Sequence, residues 1–188
     1  MIDAKLTRPS ANFHASWVES WNEWGTLNQD GSAAFVAARY GLDLRDSSDF
    51  AEWVGLLHEL PKESFQPPEG LANQTTIWVV EGNAYMGAAS LRHSLVNDYL
   101  VEVGGNIGYG IRPSARGRGL AKLALKGALQ EGRVLGMERV MVTCKQSNPA
   151  SARTIEACGG VLEVVRPAET FAPDLGITEP IRRYWITL

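Results

Sequence analysis

The chain has 188 residues, 45% of them hydrophobic and 21% charged, which fits one water-soluble domain of the usual ~100–200 residues and excludes a disordered or collagen-like chain. A formal net charge of −3 argues against general nucleic-acid binding, which needs an excess of Lys and Arg to displace phosphate counterions. No apolar run approaches the ~18 residues of a membrane span and polar residues interrupt Met1 to Trp17, so neither membrane attachment nor a secretory leader is expected and the protein is read as cytoplasmic. In chain order, Ser10 or Asn12 caps a first expected helix on which Phe13, Trp17, Trp21 and Trp24 share one face, an aromatic stripe read as packing surface. A second helix is expected from Asp46 or Ser47, carrying Phe50, Trp53, Val54, Leu57 and Leu60 and ending before Pro61. Gly31, Gly41, Pro67, Pro68 and Gly70 mark the loops around these helices.

From about Thr75 the pattern turns to strands. Thr76 to Glu81 and Ala84 to Arg92 flank a Gly82–Asn83 turn and read as a hairpin. A polar loop through Asn97 and Asp98 leads to a strand near Asn106 to Arg112. Gly119 to Leu135 reads as a helix closed by Gly136, followed by a strand at Arg139 to Lys145. A turn at Asn148 and Pro149, a short helix from Ala150 to Cys158, and strands near Val161 to Val165 and Arg182 to Leu188 complete the chain. One strand–helix–strand crossover within a run of strands predicts an α+β (mixed α/β) domain over 1–188. Residues 1–74 form its helical N-terminal part and 75–188 its sheet core.

The informative segment is Gly104 to Ala121, GGNIGYGIRPSARGRGLA. No Asp or Glu occurs between Val103 and Gln130, while Arg112, Arg116, Arg118, Lys122 and Lys126 all do, so an otherwise acidic chain gathers positive charge at one helix N-terminus. Such a terminus presents unpaired N–H groups and the positive end of the helix dipole, and Gly117 and Gly119 remove side chains that would keep a phosphate away. Neither GxxxxGK[ST] nor GxGxxG with an acidic residue ~20 positions on is present, which ranks nucleotide hydrolysis and dinucleotide redox chemistry low. Cys144 and Cys158 lack CxxC spacing and read as free thiols, and His14, His58 and His93 are dispersed, so no metal site is expected.

Arg116-Gly117-Arg118-Gly119-Leu120-Ala121 resembles the Q/R-x-x-G-x-G/A signature of the GCN5-related N-acetyltransferase (GNAT) superfamily, and Asn148, Ser151 and Gly159 fall where that superfamily places its next motif. The segments QTTIWVV, LRH, GGNIGYGIRPS and IRRYW are similar to those of a bacterial branch of these enzymes. The resemblance implies an acyl-CoA N-acyltransferase fold, a mixed but mostly antiparallel sheet flanked by helices. It implies acetyl-CoA as donor and a small-molecule or peptide primary amine as acceptor, and it allows a homodimer. Backbone around Arg116, Gly117, Arg118, Gly119, Leu120 and Ala121 would hold the CoA pyrophosphate. The strand through Tyr109, Gly110, Ile111 and Arg112 would pair with the pantetheine, with Asn148 beside it. Gly108 and Gly110 agree physically, because glycine inside a strand marks a bulge or a close backbone approach.

Acetyl transfer requires removal of a proton from the acceptor ammonium, a donor to the thioester oxygen, and protonation of the departing sulfur. A backbone N–H near Ile111 suits the second task. Many relatives place a tyrosine acid seven residues after the asparagine corresponding to Asn148; here that position is Ile155. Ser151 replaces it by similarity to the subgroup that acetylates ribosomal-protein N-termini, although a serine there equally caps a helix. Tyr109 and Tyr184 stand in reserve. His93 and Glu102, flanking the acceptor side of the loop, are the expected bases, and both also read as ordinary strand-end residues. A non-catalytic acyl-CoA-binding regulatory or sensor domain is the competing assignment.

Overall fold

The computed structural model describes residues 3–25 and 29–188. Seven strands share one sheet in the order β1-β2-β3-β4-β5-β7-β6: β1 Ala4–Thr7, β2 Gln74–Glu81, β3 Ala84–Arg92, β4 Ile107–Ile111, β5 Arg139–Lys145, β6 Val161–Arg166 and β7 Ile181–Thr187. Every neighbouring pair is antiparallel except β4 and β5. Helix α4 (Leu120–Val134) is the crossover between those two. The N-terminal helices are α1 (His14–Trp24), α2 (Ala34–Arg39) and α3 (Ser47–Glu59), and α5 (Pro149–Glu156) follows β5.

Alternation along the strands sorts the core into two layers. Ile77, Val79, Ala89, Leu91 and Ile107 pack against Leu120, Ala124, Leu125 and Ala128 of α4 and against Ile155 of α5. Trp78, Val80, Tyr85 and Ala88 meet the N-terminal helices on the opposite face. There Trp17 and Trp21 of the expected aromatic stripe are core, with Phe13 packed against it and Trp24 outside it beneath Arg116; Trp17 lies 5.5 Å from Phe50 and 5.4 Å from Trp53, ring centre to ring centre. His14 and His58 serve this layer structurally, their Nε2 atoms meeting the carbonyls of Leu44 and Pro9.

The helices and strands expected from the sequence are present with ends moved by a residue or two; α5, for instance, begins at Pro149 rather than Ala150 and ends at Glu156 rather than Cys158. Three elements were not expected. β1 lies at the sheet edge against β2, so the N-terminal part is not purely helical. Four residues with an irregular burial pattern carry too little alternation to signal a strand; the partner's open edge makes it one. Helix α2 is only six residues long and has Ala33 in the left-handed region at φ 62° where a cap would sit. The stretch Leu100–Gly104, read as loop, is a single π-helical turn.

Candidate active site

β4 and β5 pair at Ile107 and Val142 and then separate. Arg112 N–H donates to Met86 O of β3 at 2.8 Å, so by alternation the N–H groups of Tyr109 and Ile111 face the open side of the splay. A cleft of ≈ 710 Å³ runs through this opening, lined on one side by Tyr109, Cys144, Asn148 and Ser151 and on the other by Asp30, Gln74 and Arg92.

The cleft roof is the segment Gln29–Ala33, held by buried hydrogen bonds. Ser20 Oγ donates to Gln29 Oε1 (2.8 Å), Ser90 Oγ to Gly31 O (2.8 Å) and Trp53 Nε1 to Ala33 O (3.3 Å). This segment lies so close to β4 that a Cβ on Gly110 would fall 2.5 Å from Asp30 O. The glycine inside β4 thus marks a close backbone approach, as expected, but the approaching backbone is the protein's own. Asp30 is consequently brought to the cleft. Asp30 stays open to solvent on the cleft side, while desolvation by the backbone packed beneath it raises its carboxyl, opposed by the charges of Lys145 and Arg116.

Across the splay, the Tyr109 and Ser151 hydroxyls are 2.8 Å apart. Burial pushes the Tyr109 phenol up to about 12, with the Ser151 hydroxyl opposing, so it holds its proton at neutral pH. The sequence assigned Tyr109 mainly through its backbone, and only strand geometry reveals that its side chain reaches α5. Asn148 lines the cleft and caps α5, its Oδ1 accepting from Ser151 N–H at 3.0 Å. Ile155 is fully buried in the α4-side core. Tyr184 donates to Glu156 Oε1 at 3.0 Å. The thiols of Cys144 and Cys158 are free, and burial raises both.

At the start of α4, Gly117 and Gly119 adopt φ of +75° and +80°, and a Cβ on Gly117 would meet nothing within 4 Å. Among the described residues, the N–H groups from Gly117 to Ala121 find no protein acceptor. This open, N–H-lined turn fits a pyrophosphate. The arginines around it contribute less than their number suggests. Arg112 turns to Glu23 (2.6 Å) and Glu19 (3.2 Å) of α1, Arg118 pairs with Glu81 (2.7 Å), and Arg116 stacks 4.7 Å from the Trp24 ring centre while donating Nε to Ile111 O. Their guanidinium groups are engaged within the protein, leaving the backbone and the exposed Lys122 and Lys126 to face an anion.

The two residues expected as bases are not brought into the cleft. Arg92 faces it, so His93, one residue on, points to the opposite face of the sheet; there its Nε2 meets Thr75 Oγ1 at 2.9 Å in a separate hollow with Asn73 and Met137. Glu102 pairs with Arg166 outside the cleft lining. Two charged cleft groups that sequence reasoning missed are Arg92 and Asp30. A strand-parity argument applied to LRH would have found the first; no local pattern signals the second.

Residues 18–161 match the model of the acetyltransferase (GNAT) domain family. No curated protein matches the chain. Among solved structures it is similar to the ribosomal-protein-S5-alanine acetyltransferase from Vibrio fischeri, at TM-score 0.68 and 13% identity over 100% of this chain and 94% of that one. It is likewise similar to the microcin C7 self-immunity acetyltransferase MccE, solved with acetyl-CoA and AMP, at TM-score 0.66 and 16% identity over 100% and 94%. A third similar structure is an acetyltransferase from Salmonella typhimurium that modifies the N-terminal serine of a 50S ribosomal subunit protein, at TM-score 0.64 and 13% identity over 100% and 96%.

Proposed function

Since the chain belongs to the GNAT acetyltransferase family, we propose that it transfers an acetyl group from acetyl-CoA to a primary amine by direct attack within a ternary complex in the β4–β5 cleft. The Tyr109–Ser151 hydroxyl pair facing the splay carries this assignment, because it puts a proton donor where the usual tyrosine is replaced by Ile155. Similarity to enzymes that acetylate ribosomal proteins supports an amine acceptor.

Bound acetyl-CoA supplies an activated acyl thioester. The N–H groups of Gly117 to Ala121 would hold its pyrophosphate, and the open-side N–H groups of Tyr109 and Ile111 would pair with its pantetheine and with the carbonyl oxygen as charge develops there. Asp30 takes the proton from the acceptor ammonium. The freed nitrogen pair then forms the C–N bond, the second N–H proton leaves to solvent through the open cleft as the C–S bond breaks, and Tyr109, relayed through Ser151, gives a proton to the sulfur and regains one from solvent. A carboxyl raised by partial desolvation is better matched to this task than an unperturbed one. Neither cysteine is needed, since direct attack forms no acetyl-enzyme.

The test is thiol release from acetyl-CoA with a panel of amines. Acetylated product identified by mass spectrometry is the expected result. CoA binding without any acetyl transfer would favour the sensor assignment instead. Asp30→Asn is expected to lower kcat by roughly 10²-fold and to remove the acidic limb of the wild-type rate profile, a limb lying above the ordinary carboxylate range. A retained limb would assign proton removal to another group.

A further inference from the structure

On the acetyltransferase assignment above, we propose that the acceptor amine also carries an anionic oxygen group, a carboxylate or a phosphonate, and that Arg92 and Gln74 bind it. The sheet face under the N-terminal helices changes character along its length. It is apolar at Trp78 and Ala88, then polar at Thr76 and Ser90, and ends in Gln74 directly opposite Arg92. Arg92 donates Nη1 to the carbonyls of Gly104 (3.2 Å) and Gly105 (3.1 Å). Its Nη2 lies 3.8 Å from the position a Cβ on Gly108 would take. Among the described residues, no carboxylate pairs with Arg92. Gln74, 2% exposed, and Gln29, 4% exposed, both line the cleft, and the Nε2 atom of each is buried without a hydrogen-bond partner.

Buried donors are normally satisfied, and a part-buried guanidinium is costly without an opposite charge. Here the Arg92 cation and the unpartnered Gln74 amide stand opposite each other on one side of the cleft, and an anion with several acceptor lone pairs would complete both. Asp30 is the one carboxylate among the described lining residues, against the cations Arg39, Arg92 and Lys145, and Lys145 is already paired with Glu179. A polyamine would place a second ammonium beside Arg92, so it is disfavoured by like charge. Arg92 sits over Gly108 and Asp30 over Gly110. Two residues on one face of a strand are about 7 Å apart, which leaves room for an ammonium and an anion separated by a few carbon atoms, as in a small amino acid.

The experiment measures kcat/KM of the full chain for α-, β- and ω-amino acids, aminoalkylphosphonates, the matching carboxamides and spermidine. The expected result is a preference of ~10-fold or more for an anionic acceptor over its carboxamide, with the carboxylate and phosphonate series identifying which anion is read. Arg92→Gln and Gln74→Leu should each collapse that preference, while calorimetric affinity for CoA stays at the wild-type value and reports an intact fold. Preference for spermidine or for carboxamides, or an unchanged ratio in both variants, would overturn the proposal and leave the acetyltransferase assignment standing. If no amine is acetylated, that assignment fails first, and titration of the CoA-bound protein with the same amino acids decides this one. Binding weakened ~10-fold by Arg92→Gln supports the anion site, and absence of binding overturns it.

Discussion

Tyr109 and Ser151 illustrate how one hydrogen bond changes the meaning of two residues. Either alone has a sufficient structural role, Tyr109 packing beside the α4-side core and Ser151 in the first turn of α5. At 2.8 Å they form a unit able to deliver a proton across the splay. Tyr109→Phe and Ser151→Ala are each expected to lower kcat by roughly 10- to 100-fold with the acetyl-CoA dissociation constant nearly unchanged, and the double variant to fall little further because the pair acts as one relay. Unchanged turnover when chemistry limits the rate would reject the relay. His93 makes a different prediction. Burial lowers its pKa below the ordinary 6.5, opposed by Glu131, so the unfolded chain takes up the proton first. Its full contribution to stability is present above about pH 6.5 and is lost as the pH falls from there toward the folded value. His93→Gln keeps a polar partner for Thr75 and cannot titrate, so its Tm should fall less than that of wild type between about pH 7.5 and pH 5. Parallel Tm curves would contradict this.

Two elements prepare the donor and acceptor sides of the cleft. The turn into α4 depends on glycine at position 119, where φ is +80° and the neighbouring backbone N–H groups have no protein acceptor among the described residues. Gly119→Glu brings a carboxylate to the anion site and should reduce CoA affinity by more than ~10-fold, through repulsion as well as bulk. Gly119→Ala separates the backbone effect, with an expected cost of about 1 kcal/mol in stability and a far smaller loss of affinity. Equal CoA affinities in wild type and Gly119→Glu, measured by calorimetry, would move the pyrophosphate elsewhere. The opposite wall is the Gln29–Ala33 segment, fixed through Ser20, Ser90 and Trp53. Its anchoring links three separate elements to the position of Asp30, so the acceptor side is built by long-range contacts.

For the molecule as a whole, the sheet separates two layers with different tasks. The α4 side carries the crossover that begins at the proposed CoA turn, and the aromatic side supports the proposed acceptor wall. Trp53 joins them to function: it is fully buried among Trp17, Phe50 and Trp78 and donates to Ala33 O. Trp53→Ala should cost about 3–5 kcal/mol, seen as a lower denaturant midpoint at an unchanged m-value. Because the lost hydrogen bond also releases the Asp30 segment, activity on amines should fall more than CoA affinity. Equal losses of both would show that the aromatic layer supports the fold without positioning the acceptor wall.

Local rules in the sequence determined most of the elements and the glycine-rich turn into α4. The aromatic spacing of α1 and α3, the Gly82–Asn83 hairpin and the glycine-rich entry to α4 are signals contained within a few neighbouring residues, and periodicity and positive φ are local properties. Tertiary structure decided the rest. β1 is a strand because β2 has a free edge, and Ala33 occupies the left-handed region because its surroundings hold it there. Arg112 and Arg118 look like phosphate ligands in the sequence but meet Glu23 and Glu81 in space. Strand parity sends His93 to one face and Arg92 to the other, while Asp30 and Tyr109 reach the cleft through contacts with residues far away in the chain. The proposed donor side is legible because a helix N-terminus offers a phosphate consecutive backbone N–H groups. The acceptor side is not, because its groups come from separate elements that only the packed sheet brings together.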